Sequence, residues 1–143
     1  MKRLSVIIIA MAGLLTLFVG TALAADVAVI VNKGNKNVLD KGTLGKIFLG
    51  RMSSWPAGGV IVAVNLPADN SATAAFNAGV LGKSVQAIRE IWAQNVFTGK
   101  AIPPKVIASD DEVKRLVAGN KNAIGYINAA SLDNSVKAVM TLR

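Results

Sequence analysis

The chain has 143 residues, with 16 Lys and Arg against 8 Asp and Glu, a net charge of +8, and neither Cys nor His. That length suits one domain. The missing residue types exclude a disulfide framework, Cys–His and Ser–His–Asp catalysis, and ordinary zinc sites.

The chain opens on a basic pair, Lys2 and Arg3, followed by an apolar run from Leu4 to about Val19 and then "TALAAD" with Ala22 and Ala24 in small-x-small spacing. This is the pattern of a secretory signal peptide over residues 1–24, cleaved near Ala24. An uncleaved membrane anchor is disfavoured, because the apolar run is short and ends in small residues. No Cys follows to carry a lipid. The expectation is a periplasmic or secreted domain over residues 25–143, with no stable membrane anchor after processing. It stays basic without Lys2 and Arg3, and so can attract anions. Its cations are scattered, no nucleic-acid motif appears, and nucleic acid is not an expected partner.

"DVAVIVN" (26–32) is a continuous apolar run suited to a strand covered on both faces. In "TLGKIFLG" (43–50), Leu44, Ile47 and Phe48 fall at helical spacing, and Thr43 can cap the start. "SSWPAGG" (53–59) is a loop, in which Trp55 is expected to pack over the sheet, and "VIVAV" (60–64) is a second buried strand. Helices are expected over 71–81, with Phe76 and Val80 on one face, and over 84–97. In the latter, Val85, Ile88, Ile91, Trp92 and Val96 form a stripe that places Trp92 in the core.

"IPPKVIAS" (102–109) allows a short strand, and "DDEVKRLVAG" (110–119) a helix with acids in its first turn, as the helix dipole favours. "AIGYIN" (123–128), with Tyr126 half-buried and Gly125 marking a close approach, and "VKAVMTL" (136–142) are strands. The alternation predicts an α/β fold with a mainly parallel sheet. Gly50, Gly82, Gly99 and Gly119 each follow a helical pattern and precede a polar residue. They read as left-handed helix ends, since the phosphate-loop spacing occurs nowhere.

"DNSATAAF" (69–76) follows the "VIVAV" strand and puts Ser71 and Thr73 in the first turn of a helix. Unpaired N–H groups and hydroxyls at such a turn can hold an anion, and in open α/β sheets ligands gather where helices begin after strands. Spacing alone favours simple capping, because Ser and Asn are ordinary N-caps.

Three stretches, "LGKIFLGRMSSWP" (44–56), "DNSAT" (69–73) and "NAIGYI" (122–127), together resemble the substrate-binding proteins of phosphate ABC transporters. The resemblance implies a three-layer α/β sandwich with a mainly parallel or mixed sheet, similar to one lobe of a type II periplasmic binding protein. It implies phosphate or a related oxyanion as ligand, an ABC transporter permease or other envelope protein as partner, and no cofactor. The family's Asp-Gly-Ser-Gly-Thr turn maps onto Asp69, Asn70, Ser71, Ala72 and Thr73. The sequence departs from the family in three ways. Where the family has an anion-contacting Arg, this chain has Asn65, Leu66, Pro67 and Ala68. Ala72 replaces a Gly, and the length suits one lobe of two. Another cation, such as Lys33, Lys36 or Arg51, could supply the missing charge.

Two functions compete: an exported binding module for phosphate or a similar oxyanion, and an interaction module that keeps the fold but has lost the ligand. An enzyme is not expected, because no catalytic constellation of side chains emerges.

Overall fold

A computed structural model describes residues 26–143, and the expected signal peptide lies outside the described residues. The elements in order are β1 (Val27–Val31), α1 (Lys41–Phe48), β2 (Val62–Asn65), α2 (Ser71–Phe76), α3 (Val85–Phe97), β3 (Lys105–Val106), α4 (Asp110–Gly119), β4 (Ala123–Asn128) and β5 (Lys137–Leu142). A π-helical turn, Asn77–Leu81, prolongs α2.

The five strands form one open sheet in the order β3-β2-β4-β1-β5. It is mixed rather than mainly parallel: β2 runs parallel to β3 and β4, whereas β1 runs antiparallel to β4 and β5. Every residue of β1 is buried, as its continuous Val/Ile/Ala run requires of a strand covered on both faces. Successive residues of β4 reveal the two layers outside the sheet. The Tyr126 ring lies 4.2 Å from that of Phe76 in α2, and 6.0 Å from that of Phe48 in α1. A Cβ on neighbouring Gly125 would come within 2.9 Å of Val113 in α4 and of Val64 in β2. Strand side chains alternate between faces, so α1 and α2 cover one face and α4 the other. This is the expected three-layer sandwich.

The helices begin as their sequences direct, with one correction. Asp40, not Thr43, caps α1: the Thr43 N–H donates to Asp40 Oδ1 at 2.7 Å, which places Thr43 inside the first turn. That hydrogen bond holds the Asp40 carboxyl below its usual pKa. Ser84 and Ser109 cap α3 and α4 through their hydroxyls. Gly50, Gly82 and Gly99 take left-handed conformations, while Gly119 is simply the last residue of α4.

Burial departs from expectation at several points. Tyr126 is fully buried rather than half-buried, because it is clasped between two strands and two aromatic rings. β2 is buried only at Val64, while Val60, ahead of the strand, and Val62, which pairs with Ala123, are exposed. Trp55 does pack beneath its loop, its Nε1–H donating to the Asn122 carbonyl. None of α3 is buried: Trp92 is half-covered, its Nε1–H donating to the Phe48 carbonyl, and Val96 is exposed.

Candidate functional site

The loop from β2 to α2 is built by a chain of hydrogen bonds. Asn70 is the N-cap of α2, with extended backbone, and its Oδ1 accepts from the Ala72 N–H at 2.9 Å. The Asn70 N–H donates to the Pro67 carbonyl, and the Thr73 N–H to the Asn70 carbonyl, each at 3.0 Å. Thr73 is 6% exposed, and its hydroxyl donates to the Pro67 carbonyl at 2.7 Å. The same Thr73 oxygen accepts from the Tyr126 hydroxyl at 3.3 Å, and the Tyr126 oxygen in turn accepts from the Leu66 N–H at 3.3 Å. Burial pushes the Tyr126 hydroxyl up, against the weaker pull of its bonds to Thr73 and Leu66, so at neutral pH it is a neutral donor.

These bonds divide the five predicted residues. Asn70 is engaged as the cap. Ala72 is fully buried in the core, and its N–H is taken by Asn70. Thr73 has one hydroxyl proton, and the Pro67 carbonyl holds it. Ser71 is exposed, and neither its hydroxyl nor its N–H is bonded among the described residues. Asp69 is exposed beside it. Thr73 therefore belongs to the frame of the loop, and the donors that face solvent at this turn come from Ser71.

The expected charge compensation is not found for Lys33 and Lys36. Both follow β1, whose last residue, Val31, pairs with Ile124 near the start of β4. The start of β4 also pairs with the start of β2, Val62 with Ala123. The two lysines therefore sit at the opposite end of the sheet from α2's first turn. Arg51 leads towards Ser53, whose carbonyl accepts from the Ile61 N–H ahead of β2. The cation that shares a cavity wall with Ala68 and Thr73 is Arg89 of α3. Sequence reading missed it, because an Arg on the polar face of an amphipathic helix looks like ordinary surface. Among the described residues, no group of His, Cys, Asp and Glu is placed to hold a metal.

This sheet, with helices on both faces and a strand–loop–helix turn at one end, is the fold of a periplasmic binding protein-like lobe. Solved structures similar to it are phosphate ABC transporter substrate-binding proteins. One is an ABC-type phosphate transport receptor from Vibrio cholerae (25% identity, TM-score 0.62, covering 80% of this chain and 46% of that one). Another is a putative phosphate ABC transporter substrate-binding protein with bound phosphate from Clostridium perfringens (26%, 0.60, 80% and 45%). A third, at 17% identity and TM-score 0.56, is a possible phosphate binding protein from Planctomyces limnophilus; it covers 80% of this chain and 41% of that one, and shows the fold alone. The chain spans less than half the length of each of these proteins. No protein-family model matches the sequence, and no curated relative matches it.

Proposed function

We propose that the chain is an exported, non-enzymatic solute-binding protein. It takes phosphate or a similar oxyanion weakly at the start of α2, in the periplasm or outside the cell, in connection with ABC phosphate transport. The carrying observation is the exposed, unbonded hydroxyl and N–H of Ser71 at that helix start, in a fold like that of a receptor with bound phosphate. The helix end adds partial positive charge there. Asp69 can only accept hydrogen bonds while ionised. It therefore favours an oxyanion that keeps a proton, as phosphate does at neutral pH and sulfate does not. Binding is weak, because Thr73 and Ala72 spend their donors within the loop and no Arg stands at 65–68.

The test is a thermal-shift titration of the protein with phosphate, sulfate and chloride at equal ionic strength. Phosphate at about a hundred times its dissociation constant stabilises the fold by roughly 2.7 kcal/mol. Ser71→Ala should remove the phosphate-specific shift at little cost in basal stability, since the cap is Asn70. A shift with phosphate no larger than with chloride would overturn the assignment.

The second reading, an interaction module of the cell envelope that has lost its ligand, is favoured by a separate observation. Phe97 and Ile102 are 92% and 90% exposed, and Val96 and Val106 are exposed as well. An absence of any anion-specific shift, together with self-association or capture of an envelope partner through Phe97, would favour it.

A further inference from the structure

A cavity of about 280 Å3 lies between α1, α2 with its π-helical turn, α3 and the 103–106 segment. Ala68 and Thr73 line it but Asp69, Asn70, Ser71 and Ala72 do not, so it adjoins the start of α2 without including the donors that face solvent there. Its walls include Phe48, Leu81, Ile88 and Trp92, which make an apolar slot, together with Asn77 and Arg89. The last two are polar groups without a structural task. Asn77 is only 7% exposed, yet its side-chain amide makes no hydrogen bond among the described residues. Its amide is not sealed in, since the enclosed and unpaired side-chain atoms among the described residues are Asn35 Nδ2 and Asp110 Oδ1, so it stands open to the cavity it lines. Arg89 is exposed, and its guanidinium has no carboxylate partner among the described residues. Asn77 also begins the π-helical turn that ends at Leu81, both on the cavity wall. Such turns recur at functional sites.

We propose that this cavity binds a small organic acid of one aromatic ring, with its carboxylate on Arg89 and a second polar group, such as a hydroxyl, on Asn77. The burial of the two residues sets the order: Asn77 lies deep and Arg89 at the rim. The size agrees, since a cavity of about 150 Å3 accepts benzene and the remainder accommodates two substituents. Apolar walls with a few convergent polar groups are the usual composition of a small-molecule site. A guanidinium pairs with a planar carboxylate through two parallel hydrogen bonds. The amide of Asn77 offers both donors and an acceptor to a hydroxyl. An inorganic oxyanion would leave the apolar walls uncovered.

The experiment titrates the full chain, by calorimetry and by NMR of the Trp indole signals, with three probes of similar size. These are 4-hydroxyphenylacetate, phenylacetate and the cationic amine tyramine. Saturable binding of 4-hydroxyphenylacetate is expected, with a shift of the Trp92 indole signal. Phenylacetate should bind about ten-fold more weakly, the loss expected when a buried polar partner is left unpaired, and tyramine should not bind. Arg89→Gln, on an exposed side chain that leaves the fold intact, should weaken 4-hydroxyphenylacetate by about ten-fold or more. Asn77→Leu should erase the preference for the hydroxylated acid. No saturable binding up to about 10 mM, well above the affinities of useful small-molecule sites, would overturn the proposal. So would an affinity unchanged by Arg89→Gln, or tyramine binding as well as the acid.

Discussion

The helices α2 and α3 carry apolar side chains at the same spacing, yet they end in different surroundings. In α2 and its π-helical extension, Ala72, Thr73, Phe76 and Val80 are buried. Phe76 stacks on Tyr126 with an interplanar angle of 9°, and meets the edge of Phe48 at 4.7 Å. In α3 no residue is buried; Ile88, Ile91 and Trp92 are half-covered, and Phe97 points into solvent. Helical periodicity reports that one face differs from the other, but not how much protein is available to cover it. α2 meets the centre of the sheet. α3 lies against the C-terminal end of α1, held there by the Trp92 bond to the Phe48 carbonyl and by the Asn95 amide bond to the Leu49 carbonyl at 3.0 Å.

The sharpest way to break this contrast is at Phe76. Phe76→Ala should cost about 3–5 kcal/mol, because it removes one ring from a three-ring cluster that cannot collapse around the gap. Urea unfolding should register that loss as a lower midpoint with an unchanged slope. A cost below about 1 kcal/mol would show that α2 is no more firmly packed than α3.

The next effect in size concerns the hydrogen-bond chain. Thr73→Val keeps the shape of the side chain, but leaves the buried Tyr126 hydroxyl without its acceptor and the Pro67 carbonyl with the Asn70 N–H alone. The expected cost is about 1–3 kcal/mol. Tyr126→Phe should be destabilising as well, and the double variant should lose less than the sum of the two, since both act on one network. Strict additivity would mean that the Tyr126–Thr73 bond contributes nothing.

That network marks the limit of what the sequence discloses. Local signals carried the strand–loop–helix layout of 62–76, the core face of α1 (Leu44, Ile47 and Phe48, all buried) and the packing of Trp55. They depend on spacing and on caps a few residues away, which a single chain displays directly. The Thr73 proton goes to the Pro67 carbonyl six residues upstream, a bond set by the conformation of the loop and not by residue spacing. The donor to its oxygen, Tyr126, stands 53 residues further on, and Leu66 stands 60 residues from that Tyr126 hydroxyl. Alternating strands and helices imply crossovers and by themselves point to a mainly parallel sheet, while the family resemblance also allows the mixed sheet found. The antiparallel course of β1 depends on long-range pairing with β4 and β5, which has no local signature. Arg89 and Asn77 escaped for the same reason: the cavity that gives them meaning joins residues from Phe48 to Val106.

On α3 the effects should be smaller. A fully buried Ile91 would lose about 2–5 kcal/mol on truncation to Ala. Being half-covered, it should lose about 1–2 kcal/mol, in proportion to the apolar area removed from water. Phe97→Ser at the exposed end should fall within about 0.5 kcal/mol of the parent. A loss at Ile91 as large as at Phe76 would mean that something covers α3 in solution, and dilution should then lower the unfolding midpoint.

The smallest effect is electrostatic and lies on the other side of the sheet. Lys114 of α4 donates to Asp133 Oδ2 at 2.8 Å and stands 3.3 Å from Asp111. The Lys114 hydrogen bond, followed by those from the Ser135 hydroxyl and N–H, holds the Asp133 carboxyl well below the usual carboxylate range. Lys114 is raised, chiefly by the same bond to Asp133. A depressed carboxyl adds stability above its unfolded pKa, near 3.9, and loses it as pH falls through the lower folded value. A raised ammonium adds stability below its unfolded pKa, near 10.4, and loses it as pH rises through the higher folded value. The pair should therefore contribute a plateau between about pH 5 and pH 10. Asp133 faces solvent, so the worth of the pair is small and falls with added salt. Asp133→Asn should lower the unfolding midpoint slightly on that plateau, and the difference from the parent should close as pH drops through the acid range. A difference that stays constant down to the lowest pH at which the protein remains folded would assign the effect to the Ser135 turn instead of the charge. In 1 M salt the gap should shrink at neutral pH, which separates the ion pair from the hydrogen bonds that salt leaves in place.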